Sequence, residues 1–184
     1  MARRMDEREQ VLSVGGRREV ESVRKAAFRV MYHANGHAVH AYLARRVGDP
    51  ADVEDLVAEV WATAWRRFDA IPSNGGELPW LYVTARNHLA NWRRKHRRTE
   101  PFSEDHAGVE STGSEEAHDV LRLLAGLSAA DQEVLRLAAW EELSPTEMAQ
   151  VLGITASAAR VRLHRARRRL QRRLDRADRR RADR

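Results

Sequence analysis

Six arginines, Arg160, Arg162, Arg165, Arg167, Arg168 and Arg169, fall within ten residues near the C-terminus, interleaved with Val161, Leu163, Ala166 and Leu170. A guanidinium presents five donors in a rigid fork, the group that pairs with guanine edges or clamps phosphate oxygens. At helical spacing the apolar residues form one stripe, and the arginines spread over the rest of the surface. A merely solvated basic helix has the same composition, so the residues upstream must decide between the two readings.

Those residues spell a helix start, a stop and a second start. Ser144 is a capping residue with Pro145 in the first turn and Glu147 three residues on, the pattern of a capping box. Met148, Ala149, Val151 and Leu152 supply an apolar face, and Gly153 supplies the left-handed backbone that ends the helix. Ile154 then plugs the space between helices, and Thr155 caps a second helix through Ala156, Ser157, Ala158 and Ala159, small residues that permit close approach. A helix, a glycine turn and an arginine-studded helix are the layout of a helix-turn-helix, whose second helix enters the major groove by its N-terminal part.

Charge supports a polyanionic partner. The chain of 184 residues carries a net +6, yet residues 159–184 hold 13 Arg against three Asp, a local +10 that leaves −4 for the remainder. A second basic cluster, Arg86, Arg93, Arg94, Lys95, Arg97 and Arg98, contains no acid between its ends. The sign then reverses, because residues 99–119 hold seven acids and no Lys or Arg.

Other chemistries find little support. The chain has no cysteine, which excludes disulfides and thiolate metal sites. His33, His37 and His40 have helical spacing, but Gly36 weakens the helix and no close acid completes a ligand set, so no metal and no cofactor are expected. No nucleophile and base constellation or phosphate-cradling loop marks an enzyme. No apolar run reaches the roughly 18 residues of a membrane span, and the opening MARRMDEREQ lacks a signal-peptide core, so a cytoplasmic chain without a membrane partner is expected.

The elements that must position the arginines are all helical, since no segment alternates with period two. The expected architecture is all-α, two small helical domains joined by a flexible acidic linker. Residues 1–22 form a variable extension, disordered or a frayed helix; 23–98 the first domain; 99–114 the linker; 115–174 the second domain; and 175–184 a basic tail. Within the first domain a helix over 23–47 is interrupted near Asn35 and Gly36 and stopped by Gly48-Asp49-Pro50. The clearest helix covers 52–68, with Val53, Leu56, Val57, Val60, Trp61, Ala64 and Phe68 at helical spacing. A long helix follows a Pro- and Gly-containing loop over 69–77, and ends near Arg98. Downstream, helices over 115–127 and 130–141 precede the helix-turn-helix.

Three motifs in this order carry a resemblance: ADVEDLVAEVWATAWRRF at 51–68, LPWLYVTARNHLANWRRK at 78–95, and LSPTEMAQVLGITASAARVRLHRARRRL at 143–170 with its RLHRAR signature. The chain resembles bacterial RNA polymerase sigma factors of the sigma-70 family, extracytoplasmic function subfamily. The resemblance implies a sigma domain 2 and a sigma domain 4, and a protein that binds core RNA polymerase and directs initiation at promoters with −10 and −35 elements.

It also implies roles for particular residues. Asp52, Asp55, Glu59 and Arg66 would meet the polymerase β′ coiled coil. Arg86, Asn87, Asn91, Arg93, Arg94 and Lys95 would handle the −10 strand, with loop 69–77 as a pocket for a flipped base. Thr155, Ser157, Arg160, Arg162, Arg165 and Arg167 would read the −35 element, the later arginines meeting phosphates or the β flap. Trp61, Trp65, Trp80 and Trp92 are expected in the core rather than as melting wedges. Where the family often has Thr-Val-Lys, this chain has Ala158, Ala159 and Arg160, so the base preference does not carry over. The linker resembles the family's connector through the RNA exit path, and an anti-sigma factor is a further implied partner. The alternative is a non-sigma helix-turn-helix regulator that binds duplex DNA without polymerase.

Overall fold

The computed structural model of the chain describes residues 3–96 and 122–182, with side chains over 18–96 and 122–179. Every regular element among the described residues is helical. Helices α1 (Arg3–Ala44), α2 (Pro50–Arg66) and α3 (Glu77–His96) come first, with a 3-10 turn, Phe68–Ala70, between the last two. Helices α4 (Ala129–Ala139), α5 (Pro145–Leu152) and α6 (Ala156–Ala182) follow. The acidic linker and the expected helical residues 115–121 lie outside the described residues.

The chain divides into two compact units, Met1–His37 and Ala38–Arg184. In the first, α1 runs on from Arg3 without the expected interruption at Asn35 and Gly36. A glycine costs a helix only about 1 kcal/mol relative to alanine, which an already propagating helix absorbs. Asn35 helps, because its Nδ2 donates to the Met31 carbonyl at 2.9 Å instead of competing for a turn.

The second unit holds everything from Ala38 onward. Its core near the N-terminal end includes Val39, Tyr42, Leu43, Val60, Leu81 and Ala85, all without solvent exposure. Asp49 starts α2 by accepting from the Ala51 amide at 2.8 Å, and Pro50 occupies the first turn. The expected apolar face of α2 is buried at Val53, Leu56, Val60, Trp61 and Ala64, whereas Val57 and Phe68 are half-buried. Phe68 falls in the 3-10 turn because α2 ends two residues before it.

Helix α3 packs along α2, and α4 and α5 both pack on α6. Val134, Leu137, Met148, Val151, Leu163 and Ala166 fill the centre of that second group. Helix α3 also packs on α5, so the two groups of helices meet directly. Of the tryptophans expected in the core, Trp61 is buried; Trp65, Trp80 and Trp92 are half-buried.

Candidate nucleic-acid interface

Helix α6 and the turn before it are built from their caps outward. Ser144 Oγ accepts from the Glu147 amide at 3.3 Å, and the Glu147 carboxylate accepts from the Ser144 amide at 2.8 Å, a complete capping box. Gly153 ends α5 at φ 66°, the left-handed region in which a side chain costs roughly 1–2 kcal/mol. Thr155 Oγ1 then accepts from the Ala158 amide at 3.1 Å and lies 3.0 Å from Ser157 Oγ. Its hydroxyl is thereby the cap of α6.

One detail of the apolar stripe differs from expectation. Val161 is 48% exposed, whereas Ala159 is completely buried. The stripe therefore runs Ala159, Leu163, Ala166, at i, i+4 and i+7, and Val161 stands on the open side among arginines. Ala159 cannot face outward; of the two alanines that stand where the family often has Thr-Val, only Ala158 is exposed. Ile154 is half-buried between the helices.

The six residues expected at the −35 element do not share one face. With about 100° per residue, Arg162 and Arg165 lie on one flank of the stripe and Arg160 and Arg167 on the other. Ser157 projects between them, beside Val161. All are exposed except Arg162, which is half-buried.

On α3, Asn87, Asn91 and Arg94 share a face at i, i+4 and i+7, and Arg94 Nη2 donates to Asn91 Oδ1 at 3.0 Å. Lys95 borders them. Arg86 and Arg93 turn toward another flank, where Arg93 Nη2 donates to the Arg46 carbonyl at 3.4 Å. All six are exposed.

The polar face of α2 is partly engaged. Asp52 is half-buried and accepts from Trp92 Nε1 at 3.1 Å, tying α2 to α3. Asp55, Glu59 and Arg66 are exposed. Glu59 Oε2 sits 2.8 Å from His88 Nδ1, His88 Nε2 lies 3.0 Å from Thr63 Oγ1, and Arg66 Nη2 donates to that same hydroxyl at 3.0 Å. His88 escaped the sequence analysis because its partners are 25 and 29 residues away.

The contact between the helix groups is ionic at its centre. Arg46 donates from Nε and Nη2 to both oxygens of Glu133, each at 3.2 Å, and from Nη1 to Glu141 Oε1 at 3.0 Å. Its guanidinium lies 3.6 Å from the centroid of the Tyr42 ring, and Arg45 Nη2 reaches Glu141 at 2.9 Å. Burial pulls the Arg46 pKa down, but Glu133, Tyr42 and Glu141 outweigh it and raise the value above the ordinary one. Arg136 shifts the opposite way, lowered by burial and by Arg46. Tyr82, stacked at 5.0 Å on Tyr42, is pushed up to about 12 by burial and then by Glu141.

His33, His37 and His40 are exposed, and among the described residues no group of three or more His, Cys, Asp or Glu could hold a metal. No described helix is long and apolar enough to cross a membrane.

Two family models match the chain in the order of these helix groups: Sigma-70 region 2 over residues 31–99, and Sigma-70 region 4 over residues 117–170. The ECF RNA polymerase sigma factor SigL of Mycobacterium tuberculosis is 32% identical over 148 residues, 76% of this chain and 84% of SigL. The chain belongs to the ECF RNA polymerase sigma factors. SigF of Caulobacter vibrioides, another ECF sigma factor, is 33% identical over 159 residues, 83% of this chain and 88% of its own. Among solved structures, RpoE of Bartonella quintana, in complex with the anti-sigma factor NepR, matches at TM-score 0.64 and 25% identity, covering 81% of this sigma factor and 97% of that chain. CnrH in complex with the cytosolic domain of CnrY matches at 0.61 and 25%, covering 82% and 89%. The capping box, Gly153 and the first part of the arginine-rich α6, up to Leu170, fall within the region 4 match of this sigma factor, and α2 and α3 within region 2. Sigma factors are initiation factors rather than enzymes.

Proposed function

We propose that this sigma factor binds core RNA polymerase and directs it to promoters through two contacts, one at the −10 element and one at the −35 element. The observation that carries the proposal is the pair of region 2 and region 4 matches, each falling on helices that present exposed groups of the right chemistry. Asn87, Asn91 and Arg94, with Lys95, take the non-template strand: amides for a base edge and cations for the backbone. Arg86 and Arg93 add charge from the neighbouring flank. Ser157, Arg160, Arg162, Arg165 and Arg167 meet the upstream duplex, while Thr155 caps the helix that carries them. Asp55, Glu59 and Arg66 form the polymerase-binding face of α2, with Asp52 bracing it through Trp92.

Residues 23–98 and 115–174 serve as the two functional domains, with 99–114 as the linker and 1–22 and 175–184 as an extension and a basic tail. The site of action is the cytoplasm. An anti-sigma factor is a further partner, on the strength of the NepR complex of the similar Bartonella quintana protein.

Core polymerase mixed with the purified chain and a promoter library tests this reading. Promoter-specific transcripts that need both proteins are the expected result. A chain that binds its duplex alone, and yields no core-dependent transcript, is instead a polymerase-independent regulator.

A further inference from the structure

Helix α6 continues twelve residues beyond the region 4 match, to Ala182. Along this helix Arg162, Arg165, Arg169, Arg172 and Arg176 recur at intervals of three and four, which sets them in one row on one flank. Two adjoining clefts, of about 380 and 470 Å³, open along the row, and the turn around Ser128 forms their opposite wall. Among the described residues Asp131 is the only acid lining either cleft.

The row is held in place from beneath. The Asp131 carboxylate, 6% exposed, accepts from Arg169 Nη1 at 2.7 and 2.9 Å, while the Arg169 side chain remains 49% exposed. Arg173 Nη1 donates to the Gly126 carbonyl at 2.7 Å. A Cβ on Gly126 would fall 1.7 Å from Arg173 Nη2, so the bare glycine is what admits that guanidinium.

Length decides what the row meets. At about 1.5 Å per residue, Arg172 and Arg176 stand roughly 20–27 Å along the axis from Ala158. The major groove is about 12 Å wide. When the N-terminal turns of α6 occupy the groove, the outer arginines lie at or past its phosphate wall and cannot reach bases. We propose that Arg169, Arg172 and Arg176 form a phosphate-binding limb that holds the DNA backbone beside the −35 element without regard to sequence. This rests on the upstream duplex lying against α6, as in the function proposed above. A duplex is favoured over an acidic protein because the row continues directly from Ala158 and Arg162, which line the first cleft in the part of α6 that the proposed function sets against the upstream duplex.

The test uses holoenzyme assembled from core polymerase and the full chain, wild type or R172A/R176A, titrated onto duplexes with an intact or a scrambled upstream element between 50 and 200 mM salt. Two lost phosphate contacts should make the slope of log affinity against log salt shallower by about 2, and weaken binding on the order of tenfold or more at 0.1 M salt. The loss should be equal on both duplexes, and R172K/R176K should restore most of it. Unchanged slope and affinity overturn the limb. So does a loss confined to the intact element, which means base reading, or impaired assembly with core at unchanged DNA affinity, which means a protein contact. Inorganic triphosphate provides the last arm: saturable one-to-one binding that R172A/R176A abolishes, with the DNA slope unaltered, assigns the clefts to a free polyanion instead. A wild-type holoenzyme that fails to distinguish the two duplexes sinks promoter reading by α6, yet the slope comparison still reports on the limb.

Discussion

Arg46 and Glu141 are 95 residues apart in sequence and 3.0 Å apart in the fold, and neither side chain is exposed. Taking two charges out of water is costly, and here the cost is offset by a network: Glu133, the Tyr42 ring and carbonyl, and Arg45 all close on the same pair. Arg46→Ala leaves Glu133 and Glu141 without their main partner and should cost about 3–5 kcal/mol in urea unfolding. Glu141→Gln keeps the accepting Oε1, and Oε2 has no hydrogen-bond partner among the described residues, so it should cost only about 1–2 kcal/mol. Equal costs for the two variants would show that Oε1 is not what matters.

Alkali should loosen the same contact. Tyr82 is 2% exposed, and its pKa of about 12 in the folded chain exceeds the ordinary 10 of the unfolded one. Its contribution is therefore complete below pH 10 and is lost as pH rises from about 10 to 12, because the unfolded chain releases its proton first. Tyr42 is raised further still, chiefly by burial and by Glu133, and adds in the same direction. Stability measured at steps from pH 9 to pH 11.5 should fall for the wild type and fall less steeply for Tyr82→Phe. Parallel curves would remove Tyr82 from the account.

Ala158 and Ala159 should respond in opposite ways to the same substitution. Ala159 is sealed against the core, so Ala159→Thr overpacks it and should cost about 1–3 kcal/mol. Ala158 is exposed, and on the proposed function Ala158→Thr should leave stability within about 0.5 kcal/mol while changing the preferred upstream sequence. Selection from a randomised −35 region, alongside thermal melts, separates the two effects.

For the face of α2 proposed to bind polymerase, Asp55→Ala together with Glu59→Ala should weaken core assembly about tenfold, a loss near 1.4 kcal/mol, with little change in melting temperature. Competition against labelled wild type for limiting core reads this directly. Unaltered competition would return that face of α2 to plain solvent contact.

Much of the upstream reader was legible in the chain because its signals are local. Ser144, Glu147, Gly153 and Thr155 act on amides within a few residues, and each occupies the conformation its chemistry favours. The interruption expected at Gly36 failed because helix propensity is a weak local term that a long helix overrides. Val161 left the expected stripe because a sequence scale ranks valine as strongly apolar, whereas burial follows position around the helix. The ionic centre had no local signature at all. Buried Arg and Glu run against what residue type predicts, and their pairing depends on how helices far apart in sequence come to lie together. Only the composition of the basic row was visible; its anchoring by Asp131 and Gly126 depends on the fold.

The row on α6 has one more consequence. Like charges three and four residues apart repel, each pair weakening a helix by roughly 0.2–0.5 kcal/mol, and five arginines in line add several such pairs. Dissolved salt screens that repulsion and steadies the helix, but it also weakens any hold on phosphate. The outer half of α6, already helical to Ala182, should thus be steadiest in the medium where it binds least, and in dilute salt a bound polyanion would take over the screening that dissolved ions supply.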